Sequence, residues 1–183
     1  MENRFFTSDT HFSHKKILEF CRETRLGDTV DEMDELLIQA WNSKIKPKDI
    51  VYHLGDFSFA PQVKTIKIIK RLNGFIHLIE GNHDRQLDST NCRGLFESKS
   101  VYKTVTIGDT RCVLMHFPIS SWDRMRYGSL MLHGHQHGGV SNHIDTSGII
   151  KNRMDIGVDT RVEKDMAPYH IDEVIKLIKE RDA

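Results

Sequence analysis

Hydrophobic residues occur in two patterns along the chain, as short continuous runs and at helical spacing. The alternation of the two patterns predicts short strands that alternate with amphipathic helices. Short apolar runs predict strands over residues 5–8, 50–54, 75–79, 101–107, 111–115, 130–132 and 153–158. Apolar residues at helical spacing predict helices over residues 16–22, 30–45, 63–72 and 171–181. No repeat or low-complexity segment interrupts the pattern, so we expect a single α/β domain over residues 1–183.

The longest predicted helix has a recognisable start and a polar face. Thr29 followed by Glu32 matches a capping box, in which the hydroxyl accepts from a first-turn amide and the carboxylate reaches back to another. Pro47 ends the helix. We expect its acidic residues, Glu32, Asp34 and Glu35, to lie on a solvent-exposed face.

The composition limits the class of protein. The 183 residues include 26 Lys or Arg and 26 Asp or Glu, so the formal net charge is zero. A general nucleic-acid binder needs a basic surface and is disfavoured, although a local basic groove stays open. Three cysteines without a C-x-x-C pair argue against a disulfide framework and fit a reducing compartment. With no signal-peptide pattern and no apolar run of roughly 18 residues, we expect a cytoplasmic protein without membrane contact.

The chain is unusually rich in histidine, with 11 residues, and several of them lie just after predicted strands together with Asp and Asn. These polar clusters are Asp9 with His11, Asp56, Asn82 to Asp84, His116, and His135 with His137. In α/β folds, ligand sites collect at the carboxyl ends of strands. Carboxylate, amide and imidazole groups suit manganese, iron, zinc or nickel, so the clusters predict a metal site without thiolate ligands.

Taken in chain order, these clusters resemble the motifs of the calcineurin-like metallophosphoesterases. The motifs are Asp9-Thr10-His11, Gly55-Asp56, Gly81-Asn82-His83-Asp84, His116 and Gly134-His135-Gln136-His137. The compact length is similar to that of the small stand-alone bacterial and bacteriophage members. The resemblance implies an α/β fold in which a two-sheet β-sandwich is flanked by helices.

The resemblance also implies a centre with two divalent metal ions, manganese first and iron, zinc or nickel as alternatives. Asp9, His11 and His137 would hold one ion, Asn82, His116 and His135 the other, and Asp56 would bridge them. A hydroxide shared by the two ions would attack phosphorus in a phosphate mono- or diester. His83 would protonate the leaving group, and Asp84 would orient the His83 ring.

The substrate expected from this resemblance is a small phosphate ester or a nucleotide. Arg85 is a candidate for clamping the substrate phosphate, with a surface salt bridge as the alternative. His14 and His143 are candidates for substrate contact, and a solvated helix start is the alternative for His14. A basic and aromatic loop from Trp122 to Tyr127 either stacks a base or packs against the fold. Two other functions stay open, namely a nuclease with the same metal centre and a non-catalytic binding module.

Overall fold

The computed structural model of the chain describes residues 3–88, 92, 94–139 and 150–183, and within them the strands form two mixed sheets. The strands are β1 (Arg4–Thr7), β2 (Ile50–His53), β3 (Phe75–Ile79), β4 (Ser98–Ser100), β5 (Tyr102–Ile107), β6 (Thr110–Met115), β7 (Leu130–His133), β8 (Arg153–Asp155) and β9 (Tyr169–His170). The helices are α1 (Ile17–Phe20), α2 (Val30–Lys44), α3 (Gln62–Ile69) and α4 (Ile171–Asp182).

The larger sheet has the strand order β4-β3-β2-β1-β9. Strands β1 to β4 pair in parallel, beginning with Arg4 opposite Ile50, and β9 pairs antiparallel with β1. The smaller sheet has the order β5-β6-β7-β8, in which β5 and β6 form an antiparallel hairpin and β6, β7 and β8 are parallel. The carboxyl ends of β1, β2 and β3 therefore meet at one edge of the larger sheet, and those of β6 and β7 meet at one edge of the smaller sheet.

The two sheets pack face to face, and the alternation of side chains along each strand builds a core on each side of the larger sheet, with a smaller cluster around Trp122 outside the smaller sheet. On β1, Phe5 points toward the helices and packs in a cluster with Met33 and Trp41 of α2. The next residue, Phe6, points to the other side and packs between the sheets in a cluster that includes Leu132 of β7 and Val174 of α4. The result is the sandwich flanked by helices that the resemblance implies.

The predicted elements agree with the structure in most places, and the differences have tertiary causes. Half of the capping box at α2 forms, since Thr29 accepts from the Glu32 amide, whereas the Glu32 carboxylate accepts from the amide of Asp28 and not from the N-cap amide of Thr29. The two-residue strand β9 was not predicted, because two residues give no periodicity to detect. The strand predicted over residues 153–158 ends at Asp155 and is followed by a 3₁₀ turn, Val158–Thr160.

Asp34 corrects the expectation that the acidic residues of α2 all face solvent. It is buried, and its two carboxylate oxygens accept from the backbone amide of Ser13 at 2.7 Å and from the Ser13 hydroxyl at 2.6 Å. Lys64 of α3 lies 3.1 Å from the same carboxylate. Asp34 therefore fixes the loop that follows β1. Among the described residues, no helix combines the length and the apolar composition that a membrane span requires.

Candidate metal centre

Most of the polar residues that follow the strands line one cavity of about 400 Å³ at the edge where the two sheets meet, and Asp9, Asp84 and His116 are buried behind it. The loops after β1 and β2 run side by side, because the Asp9 amide donates to Gly55 O and the His11 amide donates to Asp56 O. His116 follows β6, and His135 and His137 follow β7. The lining comprises His11, His14, Ile17, Phe20, Cys21, Asp56, Asn82, His83, His135 and His137.

The first ligand group consists of Asp9, His11 and His137, whose ligand atoms lie within 4.8 Å of one another. Asp9 Oδ1 is 3.8 Å from Nε2 of both histidines. This oxygen and both ring nitrogens of His11 are buried and find no hydrogen-bond partner among the described residues. Unpaired buried polar atoms are unfavourable in a folded protein, and a divalent cation would satisfy them. The donor set therefore fits a metal ion.

The second ligand group consists of Asp56, His116 and His135, again within 4.8 Å of one another. His116 Nδ1 donates to Leu54 O at 2.7 Å, so in the neutral ring Nε2 carries a lone pair. That lone pair faces Asn82 Oδ1 at 3.0 Å. Two acceptors that face each other repel unless a proton or a cation lies between them. This group and Asn82 therefore also fit a metal ion.

Burial favours the neutral imidazole that a metal ligand must provide. It lowers the pKa of His11 and of His135, because the low-dielectric surroundings disfavour the charged ring. At Asp9, burial would raise the pKa, but the interactions with the neighbouring rings of His11, His137 and His116 outweigh it and hold the pKa well below its usual range. The carboxylate is therefore ionised and available to a cation.

The ligand residues adopt a backbone conformation that is uncommon outside glycine. Positive φ angles occur at Asp9 (57°), His11 (47°), Asp56 (57°), His135 (72°) and His137 (47°). Left-handed residues of this kind carry local strain, of order 1–3 kcal/mol each, and cluster at functional sites. The surrounding hydrogen bonds hold these five side chains in directions that a regular strand or helix would not give them.

Two glycines let neighbouring loops approach the carboxylates closely. A Cβ atom on Gly134 would overlap Ser8 Oγ and Asp9 Oδ2, the latter being the oxygen that accepts from the His135 amide at 2.9 Å. A Cβ atom on Gly81 would overlap Asp56 Oδ1 and its backbone nitrogen. Any larger residue at either position would displace a candidate ligand.

The Asp84 carboxylate anchors the backbone around Asp56. It accepts from the amides of Asp56 at 2.8 Å, Phe57 at 2.9 Å and Gly81 at 2.8 Å. Burial raises the pKa of Asp84, and the amide hydrogen bonds oppose that rise. Within the described part of the chain, no hydrogen bond joins this carboxylate to the His83 ring, because its oxygens are directed at the three amides. The structure thus shows Asp84 holding these backbone segments, and the orienting role expected for it stays a prediction.

His83 itself belongs to the lining of the cavity. Its backbone amide donates to Asp56 Oδ1 at 3.0 Å, which places the residue beside the second ligand group. Its exposed ring lies 4.8 Å from the ring of Phe59 and 6.0 Å from that of His11.

His137 has a partner that the sequence did not reveal. Its Nδ1 donates to Asp159 Oδ2 at 2.7 Å, and Asp159 in turn pairs with the buried guanidinium of Arg25. Burial lowers the pKa of His137, but the hydrogen bond to Asp159 and the charge of Asp9 outweigh it and raise the pKa to about 10. The surroundings of this ring therefore favour positive charge. The one sequence signal for Asp159 is its place directly after the strand predicted over residues 153–158. Arg25 stands in a loop and has no such signal.

Comparisons with known proteins agree with this geometry. Residues 5–150 match the model of the calcineurin-like phosphoesterase superfamily domain. The chain belongs to this superfamily. This phosphoesterase is 32% identical over 182 residues to an uncharacterized protein of Methanocaldococcus jannaschii, with 98% of this chain and 93% of that protein covered. It is 30% identical over 189 residues to the gene 66 protein of Mycobacterium phage L5, with 87% of each covered.

A solved structure also resembles the phosphoesterase. The Aquifex aeolicus protein AQ665, whose function is unknown, superposes with a TM-score of 0.74 at 25% identity, over 97% of this chain and 100% of that one. The chain is thus an enzyme of a metal-dependent family, and it carries candidate groups for metal ions.

Of the three residues expected to contact substrate in this phosphoesterase, one lines the cavity, one lies outside the lining and one is not among the described residues. The His14 ring lies in the cavity wall, stacked on Phe59 with the ring centroids 3.9 Å apart, and burial lowers its pKa to about 4. Arg85 is exposed at the start of a 3₁₀ turn, Arg85–Asp88, and is not part of the cavity lining. His143 lies outside the described residues.

The basic and aromatic loop divides into a packed part and an exposed part. Trp122 is buried on the outer face of the smaller sheet, where its Nε1 donates to Ser129 O at 3.1 Å. Tyr127 is exposed, with the Arg124 guanidinium 5.6 Å from its ring centroid. The packing interpretation therefore holds for Trp122, and Tyr127 is free of the core.

Proposed function

We propose that the chain hydrolyses phosphate mono- or diesters at a centre that holds two divalent metal ions. The first ligand group holds one ion. His116, His135 and Asn82 hold the other, and Asp56 lies between the two. This proposal narrows the phosphoesterase class to a reaction and assigns a role to each ligand.

The position of one carboxylate oxygen supports two adjacent ions rather than one. Asp56 Oδ2 lies 3.6 Å from His11 Nε2 in the first ligand group and 3.5 Å from His116 Nε2 in the second. An oxygen that faces both groups can bind a cation on each side. Bound divalent cations would supply a water of lowered pKa and stabilise the negative charge that develops on the phosphoryl oxygens.

The protein's own groups position the reacting atoms. His83 stands at the cavity wall beside the second ligand group, where its ring can donate a proton to a departing alkoxide. Asp84 keeps the loops of Asp56 and Gly81 together through their backbone amides. His83 is thus the proposed general acid, and Asp84 is a positioning residue for Asp56.

The size and the lining of the cavity favour a small substrate. Its volume of about 400 Å³ falls in the range of pockets that hold small molecules, roughly 300–1,000 Å³. Ile17, Phe20 and Cys21 form an apolar wall beside the histidines. We therefore expect a small phosphate ester or a nucleotide, with its phosphate at the ligand groups and its organic part against this wall.

Counting the metal ions tests the proposed centre. Equilibrium dialysis against Mn²⁺ should give two bound ions per chain, and Asp56→Asn should lower the affinity for both, because the oxygen is shared. One ion in the wild-type chain, or wild-type binding in the variant, would refute the shared centre.

A substrate panel at fixed Mn²⁺ tests the reaction and its general acid. Hydrolysis of p-nitrophenyl phosphate or bis-p-nitrophenyl phosphate, together with a nucleotide, is expected, and single-stranded DNA tests the nuclease alternative. In His83→Ala, general-acid loss should reduce turnover of alkyl esters by about 10²- to 10⁴-fold. Esters of p-nitrophenol should be affected little, because p-nitrophenolate needs no proton to depart. His77→Ala, on β3 away from the cavity lining, is the matched control. Equal losses on both ester types would exclude the acid role.

A further inference from the structure

A buried arginine connects the two ends of the first ligand group. Arg25 is 2% exposed and lies in the loop between α1 and α2. Its Nε and Nη2 donate to the two oxygens of Asp159 at 2.8 and 2.7 Å. Its Nη1 donates to Thr10 O at 2.8 Å, and Nη2 also donates to Asp9 O. One guanidinium therefore holds both the loop after β1 and the carboxylate that faces His137.

The Asp159 carboxylate passes this constraint to the metal ligand. It accepts from His137 Nδ1 at 2.7 Å, and its other oxygen also accepts from the Thr24 hydroxyl at 2.7 Å. Since a carboxylate only accepts, the hydrogen between them is on Nδ1, and Nε2 is the ring atom directed at Asp9 Oδ1. The contact selects which nitrogen of His137 can bind a cation.

Arg25 also leaves the metal-facing oxygen of Asp9 free. The guanidinium binds Asp9 through its backbone carbonyl, while Asp9 Oδ1 has no hydrogen-bond partner in the part of the chain that the structure describes. The same contact holds the backbone of a residue with a positive φ of 57°. A buried ion pair contributes little net stability by itself, because desolvation offsets the attraction. The Arg25–Asp159 pair is therefore better explained by how it positions the ligand residues Asp9 and His137 than by a contribution to stability.

We propose that Arg25 and Asp159 are positioning residues for the first ligand group, setting the ring orientation of His137 and the loop of Asp9. Without them, the three ligands do not converge and the affinity for one metal ion falls. This inference rests on the proposed two-metal centre and adds the residues that shape one half of it. Groups that orient a metal ligand typically change metal affinity by about 10- to 100-fold when they are replaced.

The test measures Mn²⁺ binding directly, without an activity assay. Arg25→Lys keeps the charge but loses the planar guanidinium, whose two donors bind both oxygens of Asp159. Asp159→Asn keeps the shape but loses the charge, and Thr24→Val removes one hydrogen bond to Asp159. Calorimetric titration with Mn²⁺ should show one site weakened by about 10- to 100-fold in the first two variants and less in the third, with the other site retained. The visible absorption bands of bound Co²⁺ should change as well, because they report ligand geometry.

A second buried arginine in the same chain supplies the matched control. Arg161 is 4% exposed and pairs with Asp165 at 2.9 Å, and neither residue belongs to the cavity lining or to a ligand group. Arg161→Lys and Asp165→Asn should lower the thermal unfolding temperature of the metal-free protein and leave Mn²⁺ affinity unchanged.

Three outcomes separate the possibilities. Wild-type Mn²⁺ affinity at both sites in folded Asp159→Asn and Thr24→Val overturns the positioning role. An equal affinity loss in the Arg161 control overturns it too, because the effect is then one of general stability. A wild-type chain that binds no Mn²⁺ overturns the two-metal proposal itself, which distinguishes the two failures.

Discussion

Asp84 offers the sharpest test of how the loops around Asp56 are held. Its carboxylate accepts from three backbone amides, and two of the donors, on Asp56 and Phe57, belong to residues that are 2% and 0% exposed. In Asp84→Ala these two donors lose their partner in a site that water reaches poorly. Each unmade buried hydrogen bond costs about 1–3 kcal/mol, so we expect a loss of about 2–6 kcal/mol in the free energy of unfolding.

The size of this loss makes the experiment practicable. Domains have unfolding free energies of about 5–15 kcal/mol, so a variant that loses about 4 kcal/mol still folds at room temperature. Its unfolding temperature should fall by about 8–16 °C, taking about 2–4 °C per kcal/mol for a chain of this size. Urea unfolding, monitored by the fluorescence of Trp41 and Trp122, measures the difference in the free energy of unfolding. A chelator in the solution removes any contribution from bound metal.

The control is a carboxylate in an exposed ion pair. Asp28 is 84% exposed beside Arg22, and replacing it with Ala should change the free energy of unfolding by about 0.5 kcal/mol or less. If Asp84→Ala loses less than about 1 kcal/mol while turnover of alkyl esters falls as in His83→Ala, the backbone-anchor role is refuted. The result would instead support the expectation that Asp84 orients the His83 ring.

Three further predictions concern the metal ions. Gly134→Ala should abolish the first site, because the added methyl overlaps Ser8 Oγ and Asp9 Oδ2; dialysis should then find one Mn²⁺ per chain, and two would contradict the close packing. The pKa of His137 is raised to about 10, and only the neutral ring nitrogen binds metal. Below that pH, Mn²⁺ therefore displaces a proton, and its affinity for the first site should rise by about tenfold per pH unit. Titrations at about pH 6.5 and about pH 8 check the rise in Mn²⁺ affinity, and repeating them in a second buffer checks the proton release. Equal affinities at the two pH values would refute the prediction. Dialysis against a chelator should abolish phosphoesterase activity and added Mn²⁺ should restore it, whereas full activity after metal removal would contradict a metal-dependent reaction.

The residues of the motifs could be found from sequence because each stands directly after a strand. Once β1, β2 and β3 are parallel neighbours, Asp9, Asp56 and Asn82 must lie at the same edge of the sheet. The left-handed backbone at Asp9 and Asp56 could not be read from the sequence, since most Asp residues adopt other conformations even though the type is enriched in this one.

Contacts between distant segments could not be predicted in this way. Arg25 and Asp159 are 134 positions apart, and only the packing of the loop after α1 against the turn after β8 brings them together. Asp34 looks like any acidic residue on a helix surface, and it is buried only because the loop carrying Ser13 lies over that turn of α2. The backbone contacts of Asp84 could not be predicted for the same reason, because its partners are the amides of Asp56 and Phe57 in one loop and of Gly81 in another.

The distribution of ligands between the two sheets has a consequence for the whole molecule. The first ligand group joins Asp9 of the larger sheet to His137 of the smaller one, and the second joins Asp56 to His116 in the same manner. A cation in either group is therefore a cross-link between the halves of the sandwich. Ligand binding at a concentration of about one hundred times Kd adds about 2.7 kcal/mol to stability. The supply of divalent metal would then govern the resistance of this enzyme to proteolysis as well as its turnover.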